Sequence, residues 1–223
     1  MTTAIEESQK LRQAIVSESP TLNALLALVA TRMNASSSAA EQRNFEAAIS
    51  SYQHSLSELE AHSDMDRSTA ILAKRAELTH LLGTAYSGKG DDRSAIESFQ
   101  KAIELREELV ARNTVAGYQM DLAKSYSDLS VLRRRANQPE EATKDAEHSL
   151  ELCKTVARIF PNSPEYQLQY AECLYRTAAT VTGNQVLERL QLSESILQKI
   201  VDNREVRVQS GLLLGTVLDG TAK

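Results

Sequence analysis

The chain repeats itself every 47 residues, and that period limits its fold more than any other feature. Residues 47–56 read AAISSYQHSL, residues 94–103 read SAIESFQKAI, and residues 141–150 read EATKDAEHSL. Ala48, Ala95 and Ala142 align; four residues on stand Tyr52, Phe99 and Ala146, and seven on stand Ser55, Ala102 and Ser149. Positions i, i+4 and i+7 share one helix face. Each segment is therefore a helix with a stripe of small, large or medium, then small residues, which lets a neighbouring helix approach closely.

A second helix precedes each of these. Residues 76–86 (AELTHLLGTAY), 123–133 (AKSYSDLSVLR) and 171–181 (AECLYRTAATV) align at spacings of 47 and 48, with Gly83, Ser130 and Ala178 at the close-contact position. Composition agrees with helices. Ala and Leu occur 28 times each, and 8 Gly with 4 Pro are too few for the frequent turns of a sandwich or barrel. The turns fall between helices. SGKGDD (87–92) offers Asp91 as an N-cap, ANQPEE (136–141) puts Pro139 at a first helical position, and PNSPEY (161–166) offers Ser163 followed by Pro164.

Helix pairs at a fixed period build a solenoid, and here they resemble the tetratricopeptide repeat. That family places Leu, Gly, Tyr, Ala, Phe and Ala at offsets held here by Leu82, Gly83, Tyr86, Ala95, Phe99 and Ala102, with Glu107 where the family has a terminal Pro. The next repeat keeps Tyr126, Leu129 and Ala142 but has Ser130 for Gly and Arg133 for Tyr. In the third, Ala178 and Leu190 fall at the small positions. The resemblance implies an all-α, right-handed solenoid of antiparallel helix pairs. Ordinary members repeat every 34 residues. The longer period implies helices of about 20–22 residues, and it resembles the tandem repeats of bacterial multidomain proteins, some attached to kinase domains.

A single domain over 1–223 is expected. It would comprise a capping helix at 1–20, an irregular first pair at 21–62 split by the Ser-rich linker ASSSAAEQ (35–42), repeats at 63–112 and 113–160, a degenerate repeat at 161–201 and a C-terminal capping helix at 202–223. In the N-terminal cap, Ile5, Leu11, Ile15 and Val16 are expected to face inward. In the last helix, Leu212, Leu213, Leu214 and Leu218 would form an apolar patch that invites homodimerisation if left uncovered.

Charge and motif content exclude several functions. With 25 basic and 30 acidic residues the net charge is −5, a poor basis for binding phosphate backbones. No stretch has the ~20 apolar residues of a membrane span, and the N-terminus lacks the basic and apolar regions of a secretory signal. A cytoplasmic protein is expected, with neither nucleic acid nor membrane as partner. Cys153 and Cys173 are too few for a disulfide scaffold and read as free buried thiols. His54 and His148 occupy the slot held by Lys101 in the middle repeat, as a solvated face would. No metalloprotease, nucleophile-elbow or phosphate-loop motif occurs. No enzyme, metal or cofactor is expected.

Within the family the first helix of each pair lines a concave groove. The residues carried onto those positions include Glu77, His80 and Thr84, then Lys124, Ser127, Asp128, Arg134 and Arg135, then Tyr175 and Arg176. Members that clamp a chaperone's carboxylate tail need Lys and Asn where His80 and Thr84 stand, so that mode is not expected. Arg134 and Arg135 would suit an acidic or phosphorylated segment of a partner protein or peptide; as cations in a last turn they also complement the helix dipole. The resemblance implies a non-catalytic interaction scaffold or adaptor. The alternative is a regulatory or sensor module that binds a small molecule or peptide and controls a partner such as a kinase or the transcription machinery. A deep apolar pocket lined by Tyr118, Tyr166, Tyr170 and Tyr175 would favour it.

Overall fold

The structure, a computed structural model, describes residues 4–18, 21–61 and 68–202. Every regular element among them is an α-helix: α1 (Ala4–Glu18), α2 (Leu22–Glu41), α3 (Phe45–Ala61), α4 (Thr69–Lys89), α5 (Asp92–Arg112), α6 (Ala116–Arg135), α7 (Pro139–Ile159), α8 (Pro164–Ala178) and α9 (Asn184–Asp202). After α1 the helices pack as sequential antiparallel pairs, α2 with α3, α4 with α5, α6 with α7 and α8 with α9. The chain divides into two compact units, residues 1–109 and 110–223.

Local chemistry sets the helix ends. Thr21, Asn44, Ser68 and Asp91 each accept a hydrogen bond from a first-turn backbone N–H of the helix that follows. Asp91 also accepts from the Ser94 hydroxyl at 2.8 Å. Ser163 stands at the N-cap of α8 without a side-chain bond, and Pro139 and Pro164 open α7 and α8. Each pair turns through one left-handed residue at a repeating place: Arg43 (φ 62°), Gly90 (φ 90°), Asn137 (φ 59°) and Gly183 (φ 63°). Gly90 and Asn137 suit that conformation, whereas Arg43 adopts it without a favourable side chain.

The repeat stripe forms the core. Ala48, Tyr52, Ser55, Ala95, Phe99, Ala102, Ala142, Ala146 and Ser149 are all buried. A Cβ on Gly83 would lie 3.1 Å from the Phe99 ring, so glycine is what lets α4 and α5 approach there. Gly88 does the same for Phe45, whose ring would meet a Cβ at 2.5 Å. The stripe continues one step further, since Leu59 and Arg106 are buried at i+11 from Ala48 and Ala95, as Cys153 is from Ala142.

Three expectations are corrected. The Ser-rich segment 35–42 is not a linker; α2 runs through it to Glu41. Its serines serve the helix contact: Ser36 Oγ donates to the Arg32 carbonyl and lies 2.7 Å from Ser51 Oγ, while Ser37 Oγ meets Tyr52 Oη at 3.1 Å. In α1, Val16 is buried but Leu11 is 65% exposed. Five residues place the two about 140° apart around the helix, so one face cannot hold both. That helix is tied down by Gln13, which donates to Glu58 at 3.1 Å and accepts from Arg32, itself paired with Glu58 at 2.7 Å.

The third correction concerns the last repeat. Ser149 donates to the Ala123 carbonyl at 2.7 Å, and Ser193 donates to the Ala171 carbonyl at 2.7 Å. Ser193 therefore matches Ser149, and Leu190 matches Ala146 and Phe99 at the large or medium position, not the small one. The physical cause is the short α8, 15 residues against 20 in α6, which shifts the register of α9. The expected apolar patch of Leu212, Leu213, Leu214 and Leu218 in the C-terminal helix lies outside the described residues.

Candidate functional site

In the second unit the first helices α6 and α8 pack side by side and carry the predicted groove charges. Asp128 on α6 pairs with Arg176 on α8, and Arg176 also reaches Glu172 one turn back at 3.7 Å. These charges serve first to join the two helices. Lys124, one turn before Asp128, is exposed, as are Arg134 and Arg135 in the last turn of α6. Their neighbour Arg133 turns to α7, where it pairs with the buried Asp145 at 2.8 Å. Burial pushes the Asp145 carboxyl up to about 6 even with that guanidinium beside it. Ser127 is buried rather than on the groove surface, because its place on α6 faces the neighbouring helices. Tyr175 is half-buried and packs against the core between α8 and α9.

In the first unit Glu77 and Thr84 are exposed on α4. Glu77 pairs with Lys74 at 2.7 Å, and the Thr84 hydroxyl donates to the His80 carbonyl. His80 is not a groove residue. It is 4% exposed, sits edge-on to Phe99 at 5.2 Å and places Nδ1 3.3 Å from Arg106 Nη1. Residue type misleads here: a polar side chain at a groove position turns inward when the small residue Gly83 and the ring of Phe99 leave it a partner. Arg106 was also missed. Its signal was present, because it falls on the stripe at i+11 from Ala95.

The solvated-face reading holds for His54, whose side chain is 64% exposed, and for Lys101, which pairs with Glu104. His148 is exposed, with its ring tilted against Tyr126 at 5.1 Å.

A cleft of about 750 Å³ lies between α7, α8 and α9. Ala157, Tyr170, Leu192, Ile196 and Ile200 give it an apolar wall, and Lys154, Arg158 and Lys199 line it as cations. The four tyrosines do not gather around one pocket. Tyr170 lines this cleft, Tyr166 packs on Phe160 at 5.3 Å, and Tyr175 lies in the α8–α9 core. A smaller cavity of about 180 Å³ opens between α6, α7 and α8, over Cys153 and Cys173. Among the described residues no helix is long and apolar enough to cross a membrane.

The helix pairs, the buried small-residue stripe and the first-helix charges define a helical-repeat protein. Residues 76–109 and 122–164 match tetratricopeptide repeat family models. Among solved structures the chain is similar to BtubC (BKLC) from P. vanneervenii, with 16% identity and a TM-score of 0.69 over 99% of this chain and 85% of that one. A tetratricopeptide repeat protein from Parabacteroides merdae aligns over 96% of this chain and 92% of its own at 12% identity, with a TM-score of 0.35. The first of these is a likeness of fold alone. A search of curated protein sequences finds no match.

Proposed function

We propose that this protein is a non-catalytic scaffold or adaptor that binds a partner protein or peptide along the first-helix face of its second unit. One observation carries the reading. Asp128, Glu172 and Arg176 form a cross-helix charge cluster on α6 and α8, with Lys124 exposed on the same pair and Arg134 and Arg135 exposed at the end of α6. The cluster joins the two helices, and Lys124, Arg134 and Arg135 are exposed to an incoming segment. Such a surface suits an acidic or phosphorylated segment, because guanidinium groups bind carboxylate and phosphate oxygens in pairs. A cytoplasmic setting accords with this reading.

The test is recovery of partners on immobilised protein. Replacing Arg134 and Arg135 together by Gln should leave the melting temperature nearly unchanged and reduce recovery of the partner. Lys144→Gln, an exposed charge on the second helix α7, should leave recovery intact. If Lys144→Gln alone reduces binding, the first-helix face is the wrong surface.

The 750 Å³ cleft favours a second reading, in which the second unit is a regulatory or sensor module acting on a partner enzyme such as a kinase or on the transcription machinery. Its apolar wall and cations suit an amphipathic anionic ligand. Ile196→Arg would fill that cleft with charge and separate the two readings, since it leaves the α6–α8 face untouched.

A further inference from the structure

Cys153 and Cys173 stand at matched places in the repeat. Leu59, Arg106 and Cys153 are equivalent on the second helices, and Leu78, Ser125 and Cys173 are equivalent on the first helices. In the first unit, this register puts Leu59 and Leu78 in one apolar cluster between α3 and α4. In the second unit it puts two thiols in one cluster between α7 and α8, with Met120, Ala123 and Val156 around them. Both thiols face the same cavity between α6, α7 and α8. Ser149, one turn before Cys153, holds its Oγ 3.2 Å from Cys173 Sγ and 2.7 Å from the Ala123 carbonyl.

This pair is buried but not sealed. Both cysteines line the 180 Å³ cavity, and the walls include Ser127 and Gln169. Ser127 Oγ and Gln169 Oε1 are buried, and neither has a hydrogen-bond partner. A leucine-like packing role for the two cysteines would not place unsatisfied polar atoms beside them. A hydroxyl that can donate or accept, and a carbonyl that accepts, suit a small molecule with both O–H donors and oxygen acceptors.

We propose that Cys173 and Cys153 are a reversible thiol pair that hydrogen peroxide, admitted through this cavity, converts to an intramolecular disulfide. In the first step the Cys173 thiolate attacks one peroxide oxygen. The O–O bond breaks, an S–O bond forms, and the second oxygen leaves as hydroxide and takes a proton to become water. In the second step the Cys153 sulfur, losing its proton, attacks the Cys173 sulfenic sulfur. The S–S bond forms and the hydroxyl leaves with that proton as a second water. Two electrons pass from the sulfurs to the peroxide, and a dithiol reductant restores both thiols.

The surroundings favour this division of labour. The neighbouring Cys153 thiol holds the Cys173 thiol below its usual range; burial opposes this, and the Ser149 hydroxyl with the charges of Arg176 and Arg189 assist. Cys153 is pushed up by the Cys173 sulfur and by burial, and so keeps its proton until the second step. The inference does not depend on the binding reading above.

The test uses the full chain. After exposure to hydrogen peroxide, unfolding and alkylation, the intact mass should fall by about 2 Da with no alkylated cysteine. Proteolytic mapping should link the Cys153 and Cys173 peptides, and dithiothreitol should restore two alkylatable thiols. In Cys153→Ser the reaction should stop at a Cys173 sulfenic acid, captured as a dimedone adduct. Two alkylatable thiols remaining after peroxide would overturn the proposal, as would a disulfide joining separate molecules. The mapping of the unaltered protein decides the matter even if the variant fails to fold.

Discussion

Ala95 and His54 lie on opposite sides of the same structural rule. Ala95 is fully buried at the α4–α5 crossing, whereas the His54 side chain is 64% exposed. Ala95→Arg forces a long charged side chain into a closed contact. Overpacking costs about 1–3 kcal/mol, and the stranded charge adds to it. His54→Arg should stay within about 0.5 kcal/mol of the parent. Thermal melts of the two variants test the register; equal shifts would show that the stripe has been misplaced. Asp145 makes a residue-scale prediction about pH. Its carboxyl is pushed up to about 6 in the folded chain by burial, against 3.8 for the free group. Between those values the folded state holds the proton more tightly, so this group's contribution to stability falls as pH rises from about 4 to 6. Asp145→Asn should flatten that part of the profile of melting temperature against pH. An unchanged slope would rule out Asp145 as its source. Glu58 acts with the opposite sign. Burial raises its carboxyl, but hydrogen bonds from Arg32 and Gln13 outweigh burial and hold it low, so its contribution is lost as pH falls.

At the scale of elements, the crossing of α4 and α5 is set by one missing methyl group. Three ring atoms of Phe99 lie 3.1–3.2 Å from where a Gly83 Cβ would be. Gly83→Ala gains about 1 kcal/mol of helix propensity but incurs an overpacking cost of about 1–3 kcal/mol, so a net loss of about 1 kcal/mol is expected. Adding Phe99→Leu removes the ring, and in that background the alanine should become neutral or stabilising. Chemical denaturation of the four members of the cycle measures the coupling; independent effects would mean that this contact does not limit the helix approach. The α8–α9 pair shows what happens when an element changes length. With α8 shortened, the Ser193 hydroxyl still finds a first-helix carbonyl, but from a different place in the sequence period.

At the scale of the molecule, the helices within each unit bury their stripes against neighbours close in sequence. What is left for function is the face that stacking does not use. Binding through Arg134 and Arg135 is electrostatic in origin, so association of the parent protein with an acidic partner should slow as salt rises, while the double Gln variant should lose most of that dependence. Equal salt dependence in both proteins would place the contact elsewhere.

The sequence alone determined the helical class, the pairing and the stripe, because those follow from local spacing: small residues at i and i+7 around a larger one specify a close helix contact wherever the chain places them. Asp91 and Pro139 were legible for the same reason, since capping is decided within one turn. Other features depended on partners far along the chain. Residues 35–42 look like a linker until α3 supplies Ser51 and Tyr52 for their hydroxyls. The left-handed turn at Arg43 carries no glycine to announce it and is fixed by the helices on either side. His80 reads as a surface residue until Phe99 and Arg106 close over it. The register of the last repeat could not be read from a period that the short α8 breaks. The two cysteines, 20 residues apart in sequence, become neighbours only because α7 and α8 pack face to face. Tertiary packing alone decides which side chains on different helices share a space, and the thiol pair and the charged face both depend on that choice.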